Sequence, residues 1–248
     1  MPEAPLPFAA SLSIPVAFLA MWWWERRRPA RHYPDLPGWG RLGAGFFVLS
    51  VVIGSAVPLL LAQADLQSLR VFDLSALGGW GVIAGVFVTT LVRYGWHRAE
   101  HRFDTLWRIG HQLHHSPQRV DMPGAYFTHP LDVALKTALG VLVGTVLLGL
   151  TPAAASATTL LVAGLSLFQH WNVRTPRWLG WLLPRPEMHA LHHERDVHGR
   201  NYGDLPLWDL IFGTWVNPPA FDGRVGFDDA AAGRVRDMLL MRDAHGPR

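Results

Sequence analysis

The 248-residue chain has no cysteine and a single lysine, Lys136. The absence of cysteine excludes disulfide bonds, thiolate-bound zinc and iron–sulfur clusters held by four cysteines. The remaining positive charge is arginine, and no basic run is interleaved with aromatic residues that could stack on bases. We therefore expect no nucleic-acid partner, although the formal net charge is +3.

Charged residues are also missing from four long stretches, which are residues 4–24, 42–64, 74–92 and 137–173. About 20 apolar residues suffice to cross a bilayer. The last stretch is too long for one helix, and Gly149 and Pro152 would break it, so we expect a helical hairpin from about Leu131 to Trp171. Lys136 is expected to snorkel towards the entry surface of this hairpin. The pattern predicts an all-α, polytopic membrane bundle of about four to five spans.

The arginines predict how this bundle is oriented. Basic residues follow the first apolar run instead of preceding it, so we expect a span there and not a cleaved signal peptide. The loop between the first two spans is expected to be cytoplasmic because it holds Arg26, Arg27, Arg28, Arg31 and Arg41. Residues 96–130 and 170–204 then fall on the cytoplasmic side, where they would form a histidine-rich helical cap.

Histidines are concentrated in this cap, and 11 of the 13 lie between residues 97 and 198. They form one H-x3-H motif and two H-x2-HH motifs, which are His97 and His101, then His111, His114 and His115, then His189, His192 and His193. Residues at i and i+4 share a helix face, and neutral imidazole is a ligand for iron, zinc, copper or nickel. Without a metal, such a cluster would repel itself whenever it is protonated. The set therefore predicts a metal centre.

The five histidines of the first two motifs cannot share a site on one straight helix. Such a helix would place His97 and His115 roughly 27 Å apart. We therefore expect the chain to turn between His101 and His111, at Gly110. His129 and His170 stand at the two ends of the hairpin and are expected either to complete the coordination or to lie beside the ligands or in the core.

Three further histidines have weaker patterns. His198 follows no helical spacing from His193, so ligation by it is left open. His32 and His245 have no histidine neighbours and are expected to be solvated.

One motif is discounted. Gly38, Gly40 and Gly43 match the G-x-G-x-x-G dinucleotide fingerprint, but that fingerprint needs a preceding strand and a βαβ unit. Here a membrane span follows, so the glycines are expected to let that span pack closely on a neighbour. The sequence thus shows no evident site for NAD or flavin. If the metal centre needs reducing electrons, we expect them to come from another protein.

The three histidine motifs, in this order, resemble those of the fatty acid hydroxylase/sterol desaturase superfamily. The resemblance covers about residues 80–215 and extends to Leu106-Trp107, His115-Ser116, His170-x-Asn172, Asn201-Tyr-Gly203 and Trp208-Asp-x-Ile-Phe-Gly-Thr214. It implies an integral-membrane enzyme with two irons that uses O2 to hydroxylate or desaturate a C–H bond. A substrate lipid in the membrane fits a site at the bilayer surface. The resemblance also implies an electron-donor protein of ferredoxin or cytochrome b5 type with a reductase.

The resemblance assigns roles to residues. The eight histidines of the three motifs are the expected iron ligands, with no catalytic residue beyond the metal centre. Asn172, Asp104, Asn201 and Asp209 are expected either to orient imidazole N–H groups or to serve as helix caps, a turn and surface charge. Glu100 and Glu194 are expected either to ligate or orient, or to lie on a solvated helix face.

The expected organisation is therefore N-terminal membrane spans over residues 1–95, a histidine-box catalytic region over 96–215 and a polar cytoplasmic tail over 216–248. Truncation after about Ala220 is expected to retain iron. A carotenoid-type hydroxylase, a membrane metal carrier or sensor, and a catalytically dead scaffold remain alternatives.

Overall fold

The computed structural model describes residue 10 and residues 12–246. Within this part the regular secondary structure is helical, apart from one isolated β-bridge between Glu194 and Val225. The helices are α1 (Ser13–Glu25), α2 (Trp39–Leu61), α3 (Gly81–Arg102), α4 (Asp104–Leu106), α5 (Gln112–His115), α6 (Pro130–Val141), α7 (Pro152–His170), α8 (Pro186–His192), α9 (Pro206–Phe212), α10 (Asp229–Ala232) and α11 (Val235–Leu239). Two π-helical stretches, Trp107–His111 and Leu142–Leu147, lead into α5 and extend α6.

Four helical stretches of the described residues are long and apolar enough to cross a membrane, namely Trp39–Leu61, Ser75–Arg102, Pro130–Leu147 and Pro152–His170. Large apolar side chains on their outer faces are exposed, for example Leu60 on the first of them. These helices confirm the expected membrane bundle and its hairpin. The first expected span, 4–24, falls partly on residues outside the described ones, and α1 itself has only 13 residues.

The hairpin turns where the glycine and proline predicted a break. Gly149 has a φ of +57°, and a Cβ there would collide with the carbonyl oxygen of Phe72. The Thr151 hydroxyl then accepts the N–H of Ala154 and caps α7. α2 packs against α6 and α3 against α7, so the two arms of the hairpin lie against different earlier spans.

The turn between the first two histidine motifs lies at Phe103 and not at Gly110, which corrects the sequence-based expectation. α3 continues to Arg102, and the extended backbone of Phe103 (φ −112°, ψ 116°) then redirects the chain. Gly110 lies inside the π-helical stretch, where a Cβ would come within 2.7 Å of the Asp132 Cβ. Its glycine is needed for close packing on α6.

The C-terminal segment is packed against the histidine region and is not a separate polar tail. One core cluster contains Trp39, Leu113, Phe127, Phe227, Ala231, Met238 and Ala244. The Gln112 side chain donates to the carbonyl oxygen of Arg242 (2.7 Å) and accepts from the N–H of Ala244 (3.2 Å). Truncation after about Ala220, which was expected to retain iron, would remove part of this core.

Candidate metal centre

Nine histidines gather into two adjacent clusters. The first, here called site A, contains His97, His101, His111, His115 and His192; the second, site B, contains His114, His170, His189 and His193. In each site one ring nitrogen per histidine lies within 4.8 Å of all the others. The two sites touch, since the rings of His115 and His193 stack with centroids 4.1 Å apart.

The i, i+4 pairs act as the helical spacing predicted. The two members of each pair lie in one site, His97 with His101 on α3, and His189 with His193 at the end of α8. Two consecutive histidines lie in different sites, because neighbouring side chains on a helix point in different directions. His114 lies in site B while His115 lies in site A, so the short helices α5 and α8 each contribute to both sites.

Hydrogen bonds orient three of the histidine rings so that the ring nitrogen without a proton points towards the centre of the site. Nδ1 of His97 donates to the Tyr202 carbonyl oxygen (2.6 Å), Nδ1 of His170 to that of Ser166 (2.6 Å) and Nδ1 of His192 to that of Arg200 (2.7 Å). A carbonyl oxygen can only accept, so each Nδ1 carries the proton, and Nε2 of the neutral ring keeps its lone pair. This is how ligating imidazoles are oriented in metal proteins.

The inward nitrogens crowd one another in a way that a cation would relieve. In site A, Nε2 of His111 lies 2.8 Å from Nε2 of His97 and 3.0 Å from that of His115. In site B, Nε2 of His189 lies 3.0 Å from Nε2 of both His170 and His193. These converging nitrogen donors fit a metal ion in each site.

Electrostatics favour the neutral, ligating form of these rings. Burial, reinforced by neighbouring imidazoles, holds the pKa of His111, His115, His189 and His193 well below the ordinary 6.5. Burial lowers the pKa of His192 to about 3. Neutral imidazole is the form that binds metal, so protons compete weakly for these sites near neutral pH.

A buried ionic group lies directly behind site A. The Lys136 ammonium is 2.8 Å from the Asp132 carboxylate and 3.1 Å from that of Glu100. Glu100 is 1% exposed, accepts the Trp96 indole N–H (2.9 Å) and lies 3.6 Å from Nδ1 of His111. Lys136 therefore does not snorkel, and Glu100 is not on a solvated helix face. A charge buried this deeply needs a partner, which explains the inward lysine.

Asn201 and Asp209 support the site through the backbone and do not contact an imidazole. The Asp209 carboxylate accepts the N–H groups of Tyr202 and Gly203, both at 2.8 Å, and so holds the Tyr202 carbonyl that accepts the hydrogen bond from His97. The Asn201 amide donates to the carbonyl oxygens of Met188 and Val216. Asn201 and Asp209 therefore do not orient imidazoles directly, contrary to the expectation; they hold the backbone around the site.

Three other polar candidates also lie away from the rings. Asn172 forms two hydrogen bonds with the backbone of Arg31, Oδ1 accepting at 3.0 Å and Nδ2 donating at 2.8 Å. Asp104 is exposed and pairs with Arg108 on the surface of the next helical turn. Glu194 is half-buried, with Arg200 3.9 Å away. Neither Asn172 nor Asp104 orients an imidazole, contrary to the expectation.

The remaining histidines divide clearly. His129, expected to complete the coordination, instead caps α6: its Nδ1 accepts the Leu131 N–H, and its Nε2 faces the Leu239 carbonyl oxygen at 3.2 Å. His198 lies at the edge of site A, with its ring centroid 5.4 Å from that of His101, and belongs to neither cluster. His32 and His245 are exposed, as expected.

Two arginine side chains with structural contacts were not identified from the sequence. Arg185, at 0% exposure, donates to Asn217 and to the Thr175 carbonyl oxygen, and thereby anchors the start of α8. Arg93 pairs with Asp204 at 2.5 Å and links α3 to the loop after Asn201. The available signal was the position of Arg185 directly before the proline that opens a histidine-bearing helix.

The apolar helices and the two histidine sites define a membrane-type helical protein with a candidate binuclear metal centre. The chain belongs to the fatty acid hydroxylase family, whose model matches residues 82–214, more than half of the chain. Over 187 residues it is 29% identical to the ornithine lipid hydroxylase OlsE of Rhizobium tropici. That alignment covers 72% of this chain and 56% of the relative, so the chain spans little more than half of that protein. No solved structure matches the chain significantly.

Proposed function

We propose that the chain is a membrane-bound, di-iron oxygenase that hydroxylates a C–H bond of a lipid. The observation that carries this proposal is the pair of adjacent histidine sites, five imidazoles in one and four in the other. Membership of the fatty acid hydroxylase family supports the reaction class. The name of the relative, a lipid hydroxylase, favours hydroxylation over desaturation.

Two metal ions fit the donor set. Site A would be held by His97, His101, His111, His115 and His192, and site B by His114, His170, His189 and His193. An iron pair with open positions supplies the activation of O2 that an unactivated C–H bond requires, whereas redox-inert zinc does not.

The residues around the centre hold it in place. The carbonyl oxygens of Tyr202 and Arg200 keep the protons of His97 and His192 on the outer ring nitrogen. Glu100 faces the outer nitrogen of His111 and is held there by Lys136 and the Trp96 indole. We assign Glu100 as a positioning residue, because a carboxylate behind an imidazole raises its basicity as a ligand.

The substrate is proposed to enter from the membrane. His170 ends the spanning helix α7, and His97 and His101 lie on the last turns of α3, so the centre lies where these helices end. A lipid chain held in the bilayer could reach it without leaving the apolar phase. The cytoplasmic location of the centre, expected from the arginines of residues 26–41, is part of this proposal.

Hydroxylation consumes the substrate C–H bond, one O2, two electrons and two protons, and yields a C–OH group and water. The two electrons must come from outside the lipid. We propose a protein donor of ferredoxin or cytochrome b5 type with its reductase. The G-x-G-x-x-G glycines stand at the start of α2, where Gly43 packs on Pro123 and Gly40 on Trp22, whereas Gly38 has a positive φ of +76° at the N-cap.

The test is lipid profiling by mass spectrometry in cells that express the wild-type chain, His192→Ala or the control His245→Ala. We expect one lipid class to gain one oxygen with the wild type and with His245→Ala, and not with His192→Ala. A loss of two hydrogens would identify a desaturase. No change in any lipid, with metal fully bound, would favour a non-catalytic metal protein.

A further inference from the structure

A polar cleft of about 610 Å³ lies beside the metal-binding region, between the end of α1 and the start of α2. Its volume is in the range of small-ligand sites. Four arginines line it, Arg26, Arg31, Arg41 and Arg119. Neither the family nor the histidine sites assign a role to these residues.

The positive charge of this cleft is largely uncompensated. Among the described residues, no carboxylate lies within 4.0 Å of the Arg26, Arg31 or Arg41 guanidinium, whereas Arg119 pairs with Asp121 at 2.5 Å. The Asp121 carboxylate is further engaged by the Trp39 indole N–H (3.0 Å). Asp35, which is exposed, is the other aspartate at the cleft. A net positive charge therefore remains.

Glu25, also at the cleft, is committed to the protein. It is 5% exposed, and its carboxylate accepts the N–H groups of Met122 and Asn172. Burial, with the nearby Asp121, raises the pKa of Glu25 to about 8. With Asp35 and Asp121 it makes three carboxylates against four arginines, so Glu25 does not cancel the positive charge of the cleft.

Arg31 has a donor without an acceptor. Its Nη2 donates to the Gly223 carbonyl oxygen at 2.7 Å, but its Nη1 is buried and has no hydrogen-bond partner. A buried unsatisfied donor is costly, and more so when charged. The guanidinium fork matches carboxylate and phosphate groups, which accept two parallel N–H bonds. The cleft thus has the chemistry of an anion site.

The position of the cleft favours a lipid as the carrier of this anion. Trp22 and Trp39 line the cleft, and Trp39 is the first residue of the spanning helix α2. Tryptophan and arginine at a helix end mark the membrane–water interface, where headgroups lie. The cleft also adjoins the metal sites, since Asn172 follows His170 by two residues and Trp39 shares a core cluster with Leu113.

We propose that this cleft binds the anionic headgroup, a carboxylate or phosphate, of a membrane lipid and so selects an acidic lipid as substrate. The substrate part of the inference rests on the proposed function. Binding itself does not depend on turnover and can be measured separately.

The binding test uses full-length, metal-loaded protein in neutral detergent, titrated with short-chain phosphatidylglycerol, short-chain phosphatidylcholine or inorganic phosphate. Native mass spectrometry counts bound lipid and reports occupancy. We expect phosphatidylglycerol to bind about tenfold or more tightly than phosphatidylcholine, a difference of about 1.4 kcal/mol. Equal binding of the two lipids would overturn the proposal. Inorganic phosphate that binds as tightly as phosphatidylglycerol would identify a free-anion site and also overturn it.

Matched variants connect this binding to the cleft. Arg31→Gln and the milder Arg41→Gln should each weaken phosphatidylglycerol binding, together by about tenfold or more. Arg27→Gln is the control, because Arg27 lies on the same segment but stacks on Trp23 and does not line the cleft. Equal loss in the control, or no loss with Arg41→Gln in protein that retains its metal, would refute the site.

Turnover separates the two proposals. If the wild type oxidises lipids without preference for acidic headgroups, the substrate inference fails and the oxygenase proposal stands. If acidic lipid binds through Arg31 and Arg41 but no lipid is oxidised, the oxygenase proposal fails and the binding site stands.

Discussion

The Glu100 carboxylate lies 3.6 Å from Nδ1 of His111, at the back of site A. Glu100 belongs to α3 and His111 to the π-helical stretch that follows, so this contact joins two histidine motifs across the turn at Phe103. The same carboxylate reaches Lys136 on α6. One buried side chain on α3 thus links the π-helical stretch that carries a metal-site imidazole to α6.

This contact predicts that Glu100→Gln weakens metal binding at site A. Replacement of groups that orient ligands typically costs about 10- to 100-fold in metal affinity. Competition with a chelator, followed by metal analysis, measures the change. Glu194→Gln is the matched control, because that side chain is 29% exposed and lies in neither cluster. An unchanged affinity in Glu100→Gln would remove Glu100 from the account.

Gly110→Ala should destabilise the folded protein. The new Cβ would lie 2.7 Å from Cβ and 3.0 Å from Cγ of Asp132, which Lys136 and Thr128 hold in place. Overpacking of this kind costs about 1–3 kcal/mol. The melting temperature in detergent reports the loss, with Gly164→Ala as control because no atom lies within 4 Å of its added Cβ. Equal melting temperatures for the two variants would contradict the packing described.

The C-terminal segment should be required for a stable centre. Met238 is fully buried and shares a core cluster with Leu113, which lies between His111 and His114. Met238→Ala should cost about 2–5 kcal/mol of stability, whereas the exposed Met241→Ala should cost little. Truncation after Ala220 should also lose metal. Full metal content in the truncated chain would show that this segment is dispensable.

The metal-free protein should lose stability as the pH falls from 6.5 towards 3. Burial lowers the pKa of His192 to about 3, and it lowers those of His111 and His189 as well. Between these limits the unfolded chain binds protons that the folded chain does not, so acid favours unfolding. Melting temperatures of chelator-treated protein from pH 7.5 to 4.5 test this. A melting temperature that rises on acidification would contradict the buried, neutral imidazoles.

Local spacing predicted which histidines share a site only where one helix carries both. His97 and His101 lie one turn apart on α3, and helical geometry alone places them together. The placement of His114 in site B and His192 in site A depends on how α5 faces α8, which no local pattern encodes. The spans predicted over residues 42–64 and 74–92 and the predicted hairpin match helices of the structure, because hydropathy is a local property.

Several of the errors share a physical cause, because they concern residues with partners that are distant in sequence. Lys136 was expected at the membrane surface. The sequence did not reveal its carboxylate partner Glu100, because that residue lies on another helix. Residues 216–248 were expected to form a polar tail, whereas Phe227 and Met238 of this segment belong to the same core cluster as Leu113. His129 resembled a ligand in sequence, yet its ring nitrogens serve the backbone of Leu131 and Leu239.

The most direct test of the central claim is the iron content per chain of purified protein, measured with O2-dependent lipid turnover. The account predicts two irons in the wild type, loss of iron from site A in His101→Ala, loss from site B in His170→Ala, and no turnover in either variant. The control His245→Ala should keep both irons, since His245 lies in neither cluster. A wild type that binds a single ion, or that binds two without consuming O2 in the presence of lipid and reductant, would contradict it.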